Sequence, residues 1–342
     1  MTAVTTTSAS SVPRDPDMPG LELALHKDAA RKEFKRRLPR LSGEGKLRLK
    51  DIRLIRHKPS RRCVVEYDVE VERPDCAREW VTLIGKTRAR RSGNEGFRLQ
   101  KAIWEAGFDS NSRDNVSVPE PVGVISAFQM WFQRKVNGLT AERLLTTCGG
   151  VQLARQIARA IHKLHQAGVP TDRTHTIADE LKILRDCLAQ VSALYPKWSS
   201  RIERLMSSCE KIGDETPAGG ACGIHRDFYA AQVIVDADRL WLLDFDLYCL
   251  GDPSLDPGNF IGHVTEQALR ESGRADALIE VEEALEDEFV RLSGERTRPA
   301  LRAYRDLTLV RHIFLSTRFP ERRHLTEELL RICEERLTTA LA

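Results

Sequence analysis

The chain has 342 residues, 41% hydrophobic and 30% charged, enough to bury a sizeable core and to divide into two lobes or domains. Its 53 basic residues nearly balance 50 acidic ones, and a net charge of +3 argues against any global pull toward nucleic acid or a membrane surface. No stretch approaches the roughly 18 apolar residues of a membrane span, and Met1 to Gly20 lacks the apolar core of a signal peptide, so a cytoplasmic location is expected. The eight cysteines, at 63, 76, 148, 187, 209, 222, 249 and 333, form no C-x-x-C pair, which argues against a zinc site or a disulfide framework.

In chain order, residues 1–20, rich in Thr, Ser and Pro, read as a disordered tail. Leu23, Ala30, Phe34 and Leu38 within the basic segment Leu21–Arg40 predict a helix that dresses the fold. Strands are expected at Leu47–His57, Arg62–Val71 and Glu79–Thr87, the first two joined by a turn at Lys58-Pro59-Ser60-Arg61, together a small antiparallel sheet. A helix follows over Asn94–Ala106, then Pro119 and Pro121, then strands near Val122–Ser126 and Gln129–Lys135. Beyond Val136-Asn137-Gly138 the helical period takes over: Leu153, Ile157, Ile161 and Leu164 fall at i, i+4, i+8 and i+11 on one face. The expected architecture is α+β, with 21–132 strand-bearing, 133–137 a connector and 138–342 mostly helical.

Polar chemistry concentrates at His225-Arg226-Asp227-Phe228-Tyr229-Ala230-Ala231-Gln232 and at Leu243-Asp244-Phe245-Asp246. Between them lie two apolar runs, Val233-Ile234-Val235 and Leu240-Trp241-Leu242-Leu243, separated by Asp236-Ala237-Asp238-Arg239, which predicts an antiparallel hairpin with a four-residue loop. Counting outward from Val235 opposite Leu240 places Gln232 opposite Leu243. Gln232 and Asp244 then emerge at the same open end, with Asp227 just upstream, and oxygen donors of the kind that hold metals are gathered at one point.

These residues resemble the aminoglycoside phosphotransferase-like small-molecule kinases, relatives of the protein kinases. The resemblance spans roughly 47–328 as architecture and is specific in a few short segments. The family's catalytic loop reads His-Gly-Asp, then Asn after four further residues; here it reads His225-Arg226-Asp227, with Gln232 in the Asn place. The second motif is matched by Leu243-Asp244-Phe245 and continues to Gly251-Asp252-Pro253-Ser254-Leu255-Asp256, whereas a protein kinase would show Asp-Phe-Gly and a later Ala-Pro-Glu. The resemblance implies a bilobal protein-kinase-like fold, with a small antiparallel-sheet N-lobe, a hinge and a larger helical C-lobe. It implies transfer of the γ-phosphoryl of ATP or GTP to a hydroxyl of a small molecule of aminoglycoside, sugar or amino-alcohol type, with Mg2+. Asp227 would then orient and deprotonate the acceptor, Asp244 and Gln232 would hold the metal, and His225 would fix the loop through backbone hydrogen bonds. Asp246 and Asp252 stand as supporting carboxylates; Asp252 would accept backbone hydrogen bonds from the catalytic loop or mark a plain turn, and Asp256 reads as a helix cap or loop carboxylate.

The same resemblance makes Lys86, at the end of Val81-Thr82-Leu83-Ile84-Gly85, the contact to the α- and β-phosphates. Glu95 would hold it, sharing a helix face with Leu99, Ala102 and Ala106, or would serve as a first-turn acid. No G-x-G-x-x-G follows the first strand; Ser60 and its turn would cover the phosphates, with Arg61 and Arg62 adding charge, unless the turn is merely solvated. Backbone groups around Gln133 and Lys135 would read the base. The acidic run Glu280–Glu288 reads either as a solvated helix face or as an attractor of amine-bearing acceptors. Gln232, longer than Asn by a methylene, also leaves room for a nucleotide-binding pseudokinase. Oligomeric state is not written in the residues.

Overall fold

Alternation along β2 (Arg62–Glu72) sets up the N-terminal sheet: Val65, Tyr67, Val69 and Val71 are fully buried on one face, and Glu66, Asp68 and Glu70 line the other. In this computed structural model, which describes residues 14–38, 41, 45–72, 77–90, 93–217 and 219–340, the chain forms two compact units, Met1–Asn137 and Gly138–Ala342. In the first, β1 (Lys46–Lys58), β2, β3 (Arg78–Arg88), β4 (Pro121–Ile125) and β5 (Met130–Arg134) make one antiparallel sheet in the order β1-β2-β3-β5-β4. The predicted N-terminal helix is two helices, α1 (Leu21–Leu25) and α2 (Lys27–Arg37), broken at His26, whose ring accepts the Ala29 N–H. Phe34 of α2 packs on Tyr67 at 5.0 Å and edge-on to Phe132 at 5.2 Å, sealing the buried face. Burying such a ring stabilises the fold by roughly 1.5–3 kcal/mol.

Two expectations are corrected here. The expected disordered tail does not extend to Gly20: residues 1–13 lie outside the described residues, but Asp15 and Met18 are buried. Met18 joins the core behind the sheet and the Asp15 carboxylate takes up donors of the β1–β2 turn, so a turn-rich composition here marks a packed segment. The expected connector does not begin at 133: Gln133 and Arg134 belong to β5, with Gln133 buried opposite Ile84. The helix after β3, α3 (Asn94–Ile103), continues into a wider turn over Trp104–Phe108 that is kinked at Ala106 and at Gly107, φ 93°.

The second unit is helical, as the period of its sequence indicates. Leu153, Ile157, Ile161 and Leu164 of α4 (Gly150–Gln166) are all buried. A core forms among α5 (Ile177–Leu194), α6 (Ser199–Glu215), and two later helices, α9 (Arg298–Arg318) and α10 (Thr326–Ala340). The segment that carries His225 and Asp244 runs as β6 (Cys222–Ile224), β7 (Val233–Asp236), β8 (Arg239–Leu242) and β9 (Cys249–Gly251), and β9 returns to pair antiparallel with β6. It is followed by α7 (Leu255–Ser272) and α8 (Ile279–Ser293). A Cβ on Gly258 or Gly262 of α7 would fall 2.6 Å from Leu301 O or 2.8 Å from Arg305 O. These glycines let α9 approach α7 at backbone distance, and so fix α7 beneath the loop that carries His225 and Asp227. No described helix is long and apolar enough to cross a membrane.

Candidate active site

The β7–β8 hairpin has the predicted register, with Val235 opposite Leu240 and the Leu243 N–H donating to Gln232 O at 2.9 Å. Its loop is two residues rather than four, because Asp236 and Arg239 pair with each other and Ala237 takes φ 49°. Gln232, at the end of the short turn Ala230–Gln232, is buried. Asp244 follows β8 in a left-handed conformation, φ 60° and ψ 63°, which an aspartate tolerates better than most residues. This kink ends the strand and starts the turn Phe245–Leu247. Asp227 is half-buried, two residues before Tyr229.

Three fixed points hold the loop that carries Asp227. The His225 ring is fully buried and its Nε2–H donates to Leu243 O at 2.7 Å, tying the loop to the hairpin next to Asp244. The backbone N–H groups of His225 and Arg226 donate to the two oxygens of Asp256 at 2.8 and 2.7 Å. Arg226 takes φ 72°, a conformation that costs a non-glycine residue energy and that this pair of bonds sustains. Asp256, on α7 and wholly buried, also accepts from His165 Nε2 of α4 at 2.9 Å. One helical turn on, Asn259 donates to Phe228 O at 2.8 Å and accepts from Arg311 at 2.6 Å. Arg311 reaches Glu180, whose carboxyl burial pushes up but which the His175 hydrogen bond and Arg311 bring to a net value below the ordinary range.

The supporting role expected of Asp252 therefore belongs to Asp256. Asp252 accepts the N–H of Ser254 within its own loop at 2.8 Å, a plain turn. Asp246 is half-buried, and its carbonyl accepts from Arg173 at 2.8 Å. Asn259 and His165 were not singled out in the sequence. The only local signal for them is their position on helices whose buried faces carry a polar residue.

In the N-terminal unit, Lys86 lies on the sheet face opposite Phe34, beside Val64 and Trp131 in register, with its ammonium 5.1 Å from the Trp131 ring. Gly96 of α3 presses on the same indole, where a Cβ would come within 2.7 Å of Nε1. The register continues the row: Arg56 lies beside Val64, and Lys58 beside Arg62 and in turn Arg88, so the Lys86 face is basic toward the turn. The Lys58 ammonium is held below its ordinary value by burial and by Arg56, Arg62 and Arg61. Ser60, φ 54°, donates its N–H to Asp15 at 2.9 Å, and His57 Nε2 meets the same Asp15 oxygen at 2.9 Å. Burial pushes the Asp15 carboxyl up, but these donors outweigh it and hold it below the usual carboxylate range.

Gln133 shares the Lys86 face, whereas the Lys135 N–H donates to Thr82 O at 2.8 Å and its ammonium pairs with Glu66 at 2.7 Å. Glu95 is exposed in the first turn of α3. The inward positions of that helix are Gln100 and Ile103, which corrects the phase that placed Glu95 inward with Leu99. The acidic run on α8 is largely taken up by arginines: Glu286 by Arg298 and Arg302, Glu288 by Arg159 and Arg291. Glu282 is buried, pushed up to about 7 by desolvation, and accepts from Thr265 at 2.7 Å.

A five-stranded antiparallel sheet with a lysine on β3, a helical second unit, and a loop-hairpin carrying His-Arg-Asp and Asp-Phe define a kinase-like phosphotransferase. Residues 78–307 match the phosphotransferase enzyme family, and the chain belongs to that family. Among solved structures it is similar to the spectinomycin phosphotransferase APH(9)-Ia in complex with ADP and spectinomycin, at 13% identity and TM-score 0.58 over 93% of this chain and 98% of that one. It is also similar to a choline/ethanolamine kinase family protein from Mesorhizobium loti, at 15% identity and TM-score 0.53 over 92% and 98%. A third likeness is to the aminoglycoside phosphotransferase APH(4)-Ia in ternary complex with ADP and hygromycin B, at 15% and 0.56 over 88% and 96%. At these identities the likeness is one of fold. No curated protein matches the sequence.

Proposed function

We propose that this phosphotransferase moves the γ-phosphoryl of ATP or GTP to the hydroxyl of a small molecule, with Mg2+ as the metal. The observation that carries the reading is the hairpin register, which sets Gln232 beside Leu243 so that Gln232 and Asp244 flank the same end, five and seventeen residues after Asp227. The donor set fits the metal: one carboxylate and one amide oxygen are hard ligands of the kind Mg2+ takes in ones and twos beside phosphates and water. Among the described residues, no three His, Cys, Asp or Glu side chains form a metal site by themselves. When bound, Mg2+ would neutralise charge on the nucleotide phosphates.

The chain's own residues do the rest. Asp227 orients the acceptor hydroxyl and takes its proton, from a loop that Asp256, Asn259 and His225 hold in place. Lys86 and the basic row toward Ser60 meet the phosphates, and the backbone near Gln133 and Lys135 meets the base. The Thr82 bond to the Lys135 N–H leaves that amide to the sheet, so base contacts here fall to other backbone groups of the segment. The α8 acids, paired as they are, do not favour a polycationic acceptor over a neutral or acidic one.

The test is Asp227→Ala, with phosphorylated product followed by mass detection in a metabolite mixture supplied with Mg-ATP. Turnover falls by at least about a thousandfold while nucleotide affinity is retained; full activity would remove Asp227 from its role. A pseudokinase reading rests on Gln232 in the Asn place. Nucleotide-dependent thermal stabilisation with no product from the wild-type protein over the whole mixture would favour it instead.

A further inference from the structure

Strand register sets Lys86 of β3 directly opposite Trp131 of β5, so the lysine and the indole are cross-strand neighbours on one face of the sheet. The ammonium lies over the ring, 5.1 Å from its centroid, and makes no hydrogen bond or ion pair among the described residues. The indole is only 7% exposed, and two glycines at the start of α3 close on it. A Cβ on Gly93, the N-cap, would fall 2.9 Å from the Trp131 backbone nitrogen, and one on Gly96 2.7 Å from the indole Nε1. Glu95, between them, is exposed. The indole thus meets α3 at its edge and Lys86 at its face.

In a protein kinase the strand lysine is held by a glutamate of the helix that follows. We infer that in this chain Trp131 is the positioning residue for Lys86, and that the π face of its indole does the work expected of a helical carboxylate. The inference rests on the reading above that Lys86 meets the nucleotide phosphates. A carboxylate would take at least one of the lysine's three N–H donors, whereas the ring attracts the cation through its quadrupole and leaves all three to the phosphates. The benefit lies in order. Without the ring, the flexible four-carbon stem spreads over many rotamers, from which binding must select one. The contact persists when phosphates meet the other side of the ammonium, so it favours the bound form over that dispersed state by its own strength. For a cation over an indole at a half-exposed site this is about two- to fivefold in affinity.

The experiment places mono-, di- and trifluorotryptophan at position 131 of the full chain and measures Mg-AMP-PNP binding by calorimetry. Fluorine barely alters the shape of the ring, so folding is preserved, but each one withdraws charge from its face. The dissociation constant rises stepwise to about two- to fivefold at the trifluoro ring, with an unchanged melting temperature. Packing alone would not produce that gradient. Trp131→Phe, which keeps a π face, binds more tightly than Trp131→Leu. Lys86→Met weakens binding at least about tenfold, and in that background the fluorinated rings bind alike. A flat series overturns the inference; so does a falling dissociation constant, because the ring would then be withholding the lysine from the phosphates. The failures are distinguishable. If the wild-type protein does not bind Mg-AMP-PNP, the phosphotransferase reading itself fails. If it binds and Lys86→Met matches it, the phosphate role of Lys86 fails and the inference with it. If Lys86→Met weakens binding and the fluorinated series is flat, only the role of Trp131 does.

Discussion

Two loops of this molecule, one in each unit, solve the same problem with the same chemistry at different strengths. The catalytic loop holds Arg226 at φ 72° with a carboxylate, Asp256, that accepts two consecutive backbone N–H groups and a buried histidine. The β1–β2 turn holds Ser60 at φ 54° with a carboxylate, Asp15, that accepts the Ser60 N–H and, within its own segment, the Asp17 N–H, and faces the half-buried His57. Asp256 belongs to an eighteen-residue helix locked against α9, while Asp15 sits in an irregular segment just before α1. The difference teaches where rigidity is concentrated. The loop proposed to position the nucleophile is clamped from the protein core; the turn proposed to lie over phosphates is tethered by a short segment at its edge.

The comparison breaks most sharply at Asp256. Replacing it with alanine orphans three buried donors and releases a strained backbone, and the expected cost is on the order of 3–5 kcal/mol, read in urea melts, with turnover lost by at least about a hundredfold. A variant with wild-type stability would show that the clamp is not what holds Arg226. Acidification sharpens the contrast. His312 is buried and its imidazole is pushed well below the ordinary value by desolvation, by the neighbouring His263, and by Arg311, Arg322 and Arg270. His263 is likewise pushed down, to about 3. Their folded-state values lie below the unfolded one near 6.5. The unfolded chain therefore binds more protons, and stability falls as pH drops below about 6.5, by up to roughly 1.4 kcal/mol per pH unit for each histidine.

Asp15 behaves differently, since its depressed carboxyl contributes stability above about 4 that is lost only as pH falls through its folded-state value. Hydrogen exchange read by mass spectrometry between pH 7 and 4.5 should accordingly show the C-terminal unit loosening before the β1–β2 turn. Simultaneous loosening of both, or the turn first, would contradict the assignment of the buried histidines. The smallest effect is expected from Asp15→Ala, about 1 kcal/mol of stability, accompanied by a weaker apparent affinity for nucleotide as the Ser60 turn loses its anchor. An unchanged nucleotide KM would detach that turn from the phosphates.

Much of this was legible locally. The strands of the sheet, the buried stripe of α4 and the hairpin register follow from periods of two and 3.6 residues, which are short-range properties of the chain. The placement of Lys86 on β3 and of Asp227, Gln232 and Asp244 around the hairpin was readable from spacing, and the roles proposed for them come from the family resemblance. The errors share a cause. Choosing Asp252 over Asp256, turning Glu95 inward and ending the tail at Gly20 each required knowing which distant group a polar side chain meets, and two neighbouring carboxylates on one short segment look alike until α7 is packed beneath the loop.

The sequence by itself determined the elements and the antiparallel pairing of the hairpin, because backbone geometry and side-chain period are fixed within a few residues. Only the tertiary structure decided which carboxylates clamp backbone and which are spent on arginines. The clamp depends on hydrogen-bond partners 31 and 91 residues apart in the chain, Asp256 to His225 and His165 to Asp256, and burial leaves a polar group stable only where such a partner arrives.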